Sequence, residues 1–266
     1  MTTPHTRLVA LLGHPVGHSG SPAIHTAAFA AAGVDAVYLA FDVPPARLAE
    51  AVSGLRALGA LGANATVPHK HDALALADAA TEEARLVGAA NTLFWDGGVL
   101  TADNTDAAGL ERVLGDDAGL ADGDEVVLFG AGGAARAAAV ALGRVGARVE
   151  VAARRAEAAA DVASLAARAG AQVGDVAAPR CVINATPLGL EGEALPARFM
   201  SLARDQVALD LVYGVPRTPF LAAADTAGAR ALDGTGMLLE QAALAFERWT
   251  GVPAPREAMR AALPSG

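Results

Sequence analysis

The sequence predicts an α/β protein of two domains, the first with a mainly parallel sheet. Three observations carry this. The chain has 266 residues, slightly more than the roughly 250 at which single hydrophobic cores stop growing. Apolar runs of strand length alternate with Ala-rich segments of helical length, the pattern of successive βαβ units. Near the middle, an apolar run passes through a glycine-rich turn into a helical segment, as a second α/β half would begin.

In order along the chain, LVALLG (8–13) reads as a strand and SPAIHTAAFAAAG (21–33) as the helix after it. VYLAFDV (37–43) and PARLAEAVSGLRALG (45–59) repeat the unit. The hydrophilic stretch GDDAGLADGDE (115–125) reads as a surface connection near the change of domain. VVLFG (126–130) with ARAAAVALGRVG (135–146), and VEVAA (149–153) with RAEAAADVASLAARAG (155–170), supply two further units. The Ala richness raises helix propensity and is read as composition bias. No repeat of solenoid period is present. No run of about 18 residues lacks a charge or a Gly/Pro break, and MTTPHTR lacks a leader pattern. A cytoplasmic protein is expected.

Composition narrows the chemistry. With 20 basic against 29 acidic residues, the net charge is −9, and no basic run exceeds Arg154-Arg155, which argues against nucleic-acid and membrane partners and for a small-molecule substrate. The single cysteine, Cys181, sits in apolar CVIN and excludes an intramolecular disulfide or a thiolate cluster. The histidine-rich stretch GHPVGHSGSPAIHT (13–26) does not suit a metal: Pro15 and Gly17 separate His14 from His18, His25 falls in the following helix, and no nearby Cys, Asp or Glu completes a set. Its interest lies in Ser19 and Ser21. Ser21-Pro22 reads as an N-cap followed by a first-turn proline, so the two hydroxyls either cap the helix or seat a carboxylate at its positive end. A serine nucleophile lacks its G-x-S-x-G setting.

The glycine-rich turn holds Gly130, Gly132 and Gly133, with Ala135 in the third small position of G-x-G-x-x-G/A. Placed between strand and helix, it predicts dinucleotide binding on the helix N-terminus. Glu150 has the offset of a ribose-binding acid but lies within the strand; Arg154 and Arg155 follow the strand and favour a 2′-phosphate, hence NADP over NAD, unless they are merely solvated. CVINATPLG (181–189) ends a strand at the ligand-binding sheet edge, so Thr186 either lines the cofactor or lies in a plain loop. GANATVPHKHDAL (62–74), GAANTLFW (88–95) and TADNTDAAGL (101–110) place Asn64, Thr66, Lys70, Asn91 and Asp106 in polar turns beside apolar runs, a set that suits a polyol.

Taken together, G-x-P-x-x-H-S-x-S-P, G-A-N-x-T-x-P-x-K, G-A-x-N-T, N-T-D-x-x-G, G-A-G-G-A, N-A-T-P-x-G and the late glutamine of GTGMLLEQAALAF span nearly the whole chain and resemble the shikimate dehydrogenase family. The resemblance implies a catalytic pair, Lys70 and Asp106. It implies that Ser19 and Ser21 hold the substrate carboxylate, and that Asn64, Thr66, Asn91, Asp106, Tyr213 and Gln241 contact ring hydroxyls or the reacting centre. For NADP it points to Gly130, Ala131, Gly132, Gly133, Ala134, Ala153, Arg154, Arg155, Thr186, Leu211, Gly234 and Glu82. It further implies a substrate domain of 1–106 plus 237–266, an NADP-binding Rossmann domain of 107–236, an active site in the cleft between them, and a monomer or homodimer.

Three departures stand out. The family's Asn-Arg-Thr reads Ala153-Arg154-Arg155, its Asn after the last histidine of the first motif is Thr26, and its Met before Tyr-Gly is Leu211. The altered cofactor motif keeps open an NAD-preferring quinate/shikimate dehydrogenase; a non-catalytic NADP-binding sensor is the rival from another class, opposed by the intact Lys70 and Asp106.

Overall fold

A computed structural model describes residues 2–17 and 19–264. Its chain forms two compact units, one comprising the residues up to Thr105 with Leu239–Leu263, the other Asp106–Leu238. His18 lies outside the described residues.

The first unit contains β1 (Arg7–Gly13), α1 (Ser21–Ala32), β2 (Ala36–Asp42), α2 (Leu48–Ala57), β3 (Gly62–Ala65), α3 (Lys70–Leu76), β4 (Ala79–Ala80), α4 (Glu82–Val87), β5 (Thr92–Asp96) and β6 (Val99–Asp103). Its sheet runs β2-β1-β3-β5-β6-β4. Strand β1 pairs in parallel with β2 and β3, and β4 with β6. The mainly parallel sheet is interrupted by a hairpin, β5–β6, whose first strand is antiparallel to β3. The two residues between these strands, Gly97 and Gly98, have φ of 55° and 86°. Both positive angles match the turn that closes a two-residue hairpin without splaying the strands. Leu12, Leu48, Leu55, Leu93 and Leu100 form the core on one face.

In the second unit, α5 (Thr105–Arg112) continues as a π-helical segment (Val113–Asp117) and a loop to β7 (Glu125–Phe129), followed by α6 (Gly133–Arg144), β8 (Arg148–Ala152), α7 (Ala156–Arg168), β9 (Gln172–Val173), β10 (Cys181–Asn184), α8 (Ala197–Met200), β11 (Val207–Asp210), α9 (Pro219–Ala227) and β12 (Arg230–Leu232). Among the described residues every strand pairing of this sheet is parallel, in the order β9-β8-β7-β10-β11-β12. This is the doubly wound order, whose switch point lies between the first strand and the fourth, here β7 and β10. The boundary between units falls after Thr105, so the 115–125 stretch lies inside the second unit.

The Ala-rich helices are more than composition. On α6, Ala135, Ala137, Ala138, Ala139 and Ala141 are fully buried, and a Cβ on Gly143 would stand 2.5 Å from the Ala169 methyl. Small side chains let helix and neighbour approach closely, a packing role beside the helix propensity that Ala supplies.

Helix α10 (Thr235–Thr250) begins in the second unit and, from Leu239, belongs to the first; α11 (Arg256–Ala261) follows. In the first unit, Trp249 donates its indole N–H to the Leu93 carbonyl at 3.1 Å. Gly62 makes room for it, since a Cβ there would stand 2.4 Å from that carbonyl oxygen.

Candidate functional site

In the first unit, strand register aligns Leu11, Asn64, Thr92 and Asp103 in a row across β1, β3, β5 and β6. The polar turns singled out in the sequence lie at this end of the sheet, because each follows or precedes one of those positions. The residues form a buried hydrogen-bond network. Asn91 donates to Thr105 Oγ1 at 2.9 Å and to Gln241 Oε1 at 3.3 Å, and its Oδ1 accepts from the Thr105 N–H at 2.8 Å. Asn91 therefore fixes the start of α5 and, with it, the next residue, Asp106, which is 3% exposed in the first turn of that helix. An acidic side chain is favoured there by the helix dipole.

Asn64 joins this network. Its two amide hydrogens go to the Asn91 carbonyl (2.9 Å) and Thr92 Oγ1 (3.1 Å), and its Oδ1 accepts from Tyr38 O–H at 2.7 Å. Its structural work is to hold the Asn91 turn. Thr66 crowds Gly13, where an added Cβ would lie 2.5 Å from the Thr66 methyl. Lys70, half-buried, opens α3; its carbonyl accepts from the Ala90 N–H at 2.8 Å, linking it to the Asn91 turn.

The opening serines differ from the expected cap. The N-cap of α1 is Gly20 and Ser21 is its first helical residue, with Pro22 next. The Ser21 N–H donates to Ser19 Oγ at 3.2 Å. Ser19 thus satisfies the helix start, because Ser21 already has helical backbone and cannot cap it. His14 Nδ1 lies 2.5 Å from Asp42 Oδ1, and His25 is buried against Tyr38, so both rings serve the scaffold. Among the described residues no group of three or more His, Cys, Asp or Glu is placed to hold a metal, and no helix is long and apolar enough to cross a membrane.

The second unit's switch point carries a pocket of about 710 Å³, lined by Gly130, Ala131, Gly132, Ala153, Arg154, Arg155 and Thr186 among others. Seven of the expected cofactor residues are thereby brought together. Gly130 has φ of 138° and a Cβ on it would stand 2.6 Å from the Ala185 carbonyl oxygen. The β7 and β10 loops can meet only over a glycine. Gly132 caps α6, and a Cβ on it would meet no protein atom within 4 Å. Gly133 and Ala134 form the first turn of α6. Leu211 and Gly234 do not line the pocket but abut each other: a Cβ on Gly234 would stand 2.4 Å from the Leu211 carbonyl oxygen. Tyr213 is half-buried after β11, and Glu82 is an exposed first-turn residue of α4, in the first unit.

Thr186 is oriented by Asn184, whose Oδ1 accepts from the Thr186 N–H and O–H at 3.0 and 2.7 Å. Asn184 in turn donates to the buried Asp210 at 2.8 Å, which also accepts from Thr218 O–H at 2.7 Å and the Val212 N–H at 3.2 Å. Burial pushes the Asp210 carboxyl up from its ordinary value. Sequence reasoning missed Asp210, Tyr38 and the pocket-lining Arg198 and Phe199; each acts through partners distant in sequence, which leaves no local pattern.

The chain matches the family model for the shikimate dehydrogenase substrate binding domain over residues 11–93 and that for the shikimate 5′-dehydrogenase C-terminal domain over 234–263. It is 44% identical to the shikimate dehydrogenase (NADP(+)) of Salinibacter ruber, covering 97% of both chains. A shikimate dehydrogenase crystallised in complex with NADP+ superposes with a TM-score of 0.91 at 35% identity, over 98% of this chain and 96% of that one. The shikimate 5-dehydrogenase of Thermus thermophilus, in complex with NADP(H) and shikimate, gives 0.87 at 36% identity over 97% and 98%.

Proposed function

The chain belongs to the shikimate dehydrogenase family and is an NADP-dependent oxidoreductase that reversibly reduces 3-dehydroshikimate to shikimate in aromatic amino acid biosynthesis; on that premise we propose how its residues share the reaction. The observation that most directly supports the assignment is the switch-point pocket, where Gly130 allows loop-to-loop approach and Arg154 and Arg155 stand beside Thr186. Such a pocket fits a phosphorylated dinucleotide: open backbone for the pyrophosphate, guanidinium groups for the 2′-phosphate.

Residues 107–236 form the proposed NADP-binding domain, and 1–106 with 237–266 the substrate-binding and catalytic domain. Bound NADPH supplies the hydride. Lys70, as an ammonium, donates the proton to the ketone oxygen and stabilises negative charge there; in the reverse direction its neutral amine accepts the hydroxyl proton. Asp106 orients and balances Lys70. Ser19 and Ser21 take the substrate carboxylate, and Asn64, Thr66, Asn91, Asp106, Tyr213 and Gln241 the ring hydroxyls or the reacting centre, with Asn64 also holding the Asn91 turn. The cofactor set includes Leu211, Gly234 and Glu82 as well as the pocket residues. Proton transfer from a positioned group contributes about 10²- to 10⁴-fold.

Cytoplasmic residence and a monomeric or homodimeric state belong to this proposal; the lone cysteine, Cys181, is buried, its thiol pushed up to about 12 by burial, which suits a reducing compartment. The test is turnover of shikimate with NADP+, followed by absorbance of the reduced nicotinamide. Formation of NADPH is expected, faster than with NAD+ or quinate. A purified, folded protein that produces none overturns the reading.

A further inference from the structure

Arg198 is a cation at the dinucleotide pocket that no motif marks. It lies on α8, in a segment remote in sequence from the other pocket-lining arginines, and lines the same 710 Å³ pocket as Arg154 and Arg155. Its position is built. Nη1 is 3.2 Å from Glu150 Oε1, and the guanidinium carbon stands 4.4 Å from the centroid of the Phe199 ring. Phe199 itself packs on Phe129, the last residue of β7, at 4.5 Å between centroids. Glu150 is held from its other oxygen by the Val176 N–H at 3.2 Å. The Arg198 side chain is 59% exposed and so open to a ligand, while the carboxylate and the ring restrict where its guanidinium can point.

Glu150 is the residue with the offset of a ribose-binding acid, twenty positions after Gly130. It does not line the dinucleotide pocket. It lines an adjoining one of about 430 Å³, and Arg198 lines both. One arginine thus contacts the carboxylate and lines the dinucleotide pocket. A free carboxylate near this place accepts from a ribose 2′-hydroxyl and repels a 2′-phosphate. Pairing it with arginine reverses both preferences.

We propose that Arg198 is a specificity-determining residue of the cofactor site: it neutralises Glu150 and adds a third guanidinium beside Arg154 and Arg155, so that the pocket selects a 2′-phosphorylated dinucleotide. The proposal rests on the NADP reading above. It locates the selectivity partly in a pair, Glu150 with Arg198, that lies outside the loop after β8.

The test is titration of NADP+ and NAD+ into the full chain, with R198A, the double variant E150Q/R198A, and R154A as a reference. R198A is expected to raise the NADP+ Kd about tenfold, the scale of one charge-assisted contact, while the NAD+ Kd stays level or falls. The double variant recovers part of the NADP+ loss, because no unpaired carboxylate is left. A merely structural role would weaken both dinucleotides alike. A preference ratio in R198A equal to the parent's, or equal NADP+ losses in R198A and the double variant, overturns the proposal while leaving the NADP reading standing. A parent chain that binds NAD+ as well as NADP+ overturns both.

Discussion

Lys70 leaves the backbone at a fixed point, since its carbonyl is held by the Ala90 N–H at the turn that also carries Asn91. Its assigned task is proton transfer rather than binding, so Lys70→Ala is expected to lower kcat by about 10²- to 10⁴-fold while shikimate still binds. Steady-state kinetics with a separate shikimate titration checks this; a near-normal kcat removes Lys70 from the chemistry. The polar side chains of the turns were legible because each stands just beyond an apolar run, where a sheet ends. Their partners were less so. Asn91 and Gln241 are 150 positions apart and Tyr38 and Asn64 are 26 apart, and a hydrogen bond across such separations has no periodic signature. Ser21 shows a subtler failure: a Ser-Pro pair reads equally well as N-cap and N1 or as N1 and N2, and only the helical backbone at Ser21 decides for the second.

The glycine-rich turn between β7 and α6 separates two roles at the scale of an element. Gly130 is required by the fold, with φ of 138° and the Ala185 carbonyl 2.6 Å from any Cβ. Gly132, with φ of −83°, is not required by the backbone and faces no protein atom. Gly130→Ala is therefore expected to cost about 1–3 kcal/mol of folding stability through backbone strain, along with NADP binding. Gly132→Ala should change stability by less than about 1 kcal/mol yet still weaken NADP, because its methyl would enter the space proposed for the pyrophosphate. Denaturant unfolding paired with NADP+ titration tests the contrast, and equal stability losses in the two variants would contradict it. The β-α alternation of this unit was readable because each buried parallel strand is a continuous apolar run. The β5–β6 hairpin escaped that reading: its strands are joined by two glycines instead of a helix, and alternation rules built on crossovers do not anticipate it.

For the whole molecule, the response to acid is set by a few buried groups. In the first, His25 is stacked on Tyr38 at 4.4 Å and lies 5.1 Å from Trp249, and neither ring nitrogen has a hydrogen-bond partner among the described residues. Burial lowers its pKa from 6.5 to about 3. The unfolded chain therefore binds a proton below pH 6.5 that the folded one refuses, and stability falls as pH drops from 6.5 toward 3, by up to about 1.4 kcal/mol per pH unit. Asp35 and Asp78 in the same unit, and Glu193 and Asp225 in the second, are lowered from their ordinary values by hydrogen bonds, so the stability they lend is lost in stronger acid, below the mildly acidic range in which His25 acts. In the second unit, burial raises Asp210, whose contribution is greatest in acid and is lost as pH rises through its folded pKa. Mild acidification thus acts through His25, in the first unit. Both tryptophans, Trp95 and Trp249, lie in that unit, so their fluorescence reports its unfolding. Urea midpoints read this way are expected to fall between about pH 7.5 and pH 5, and His25→Leu is expected to flatten most of that slope; a variant whose midpoint falls as steeply as the parent's would show that His25 does not set the acid sensitivity.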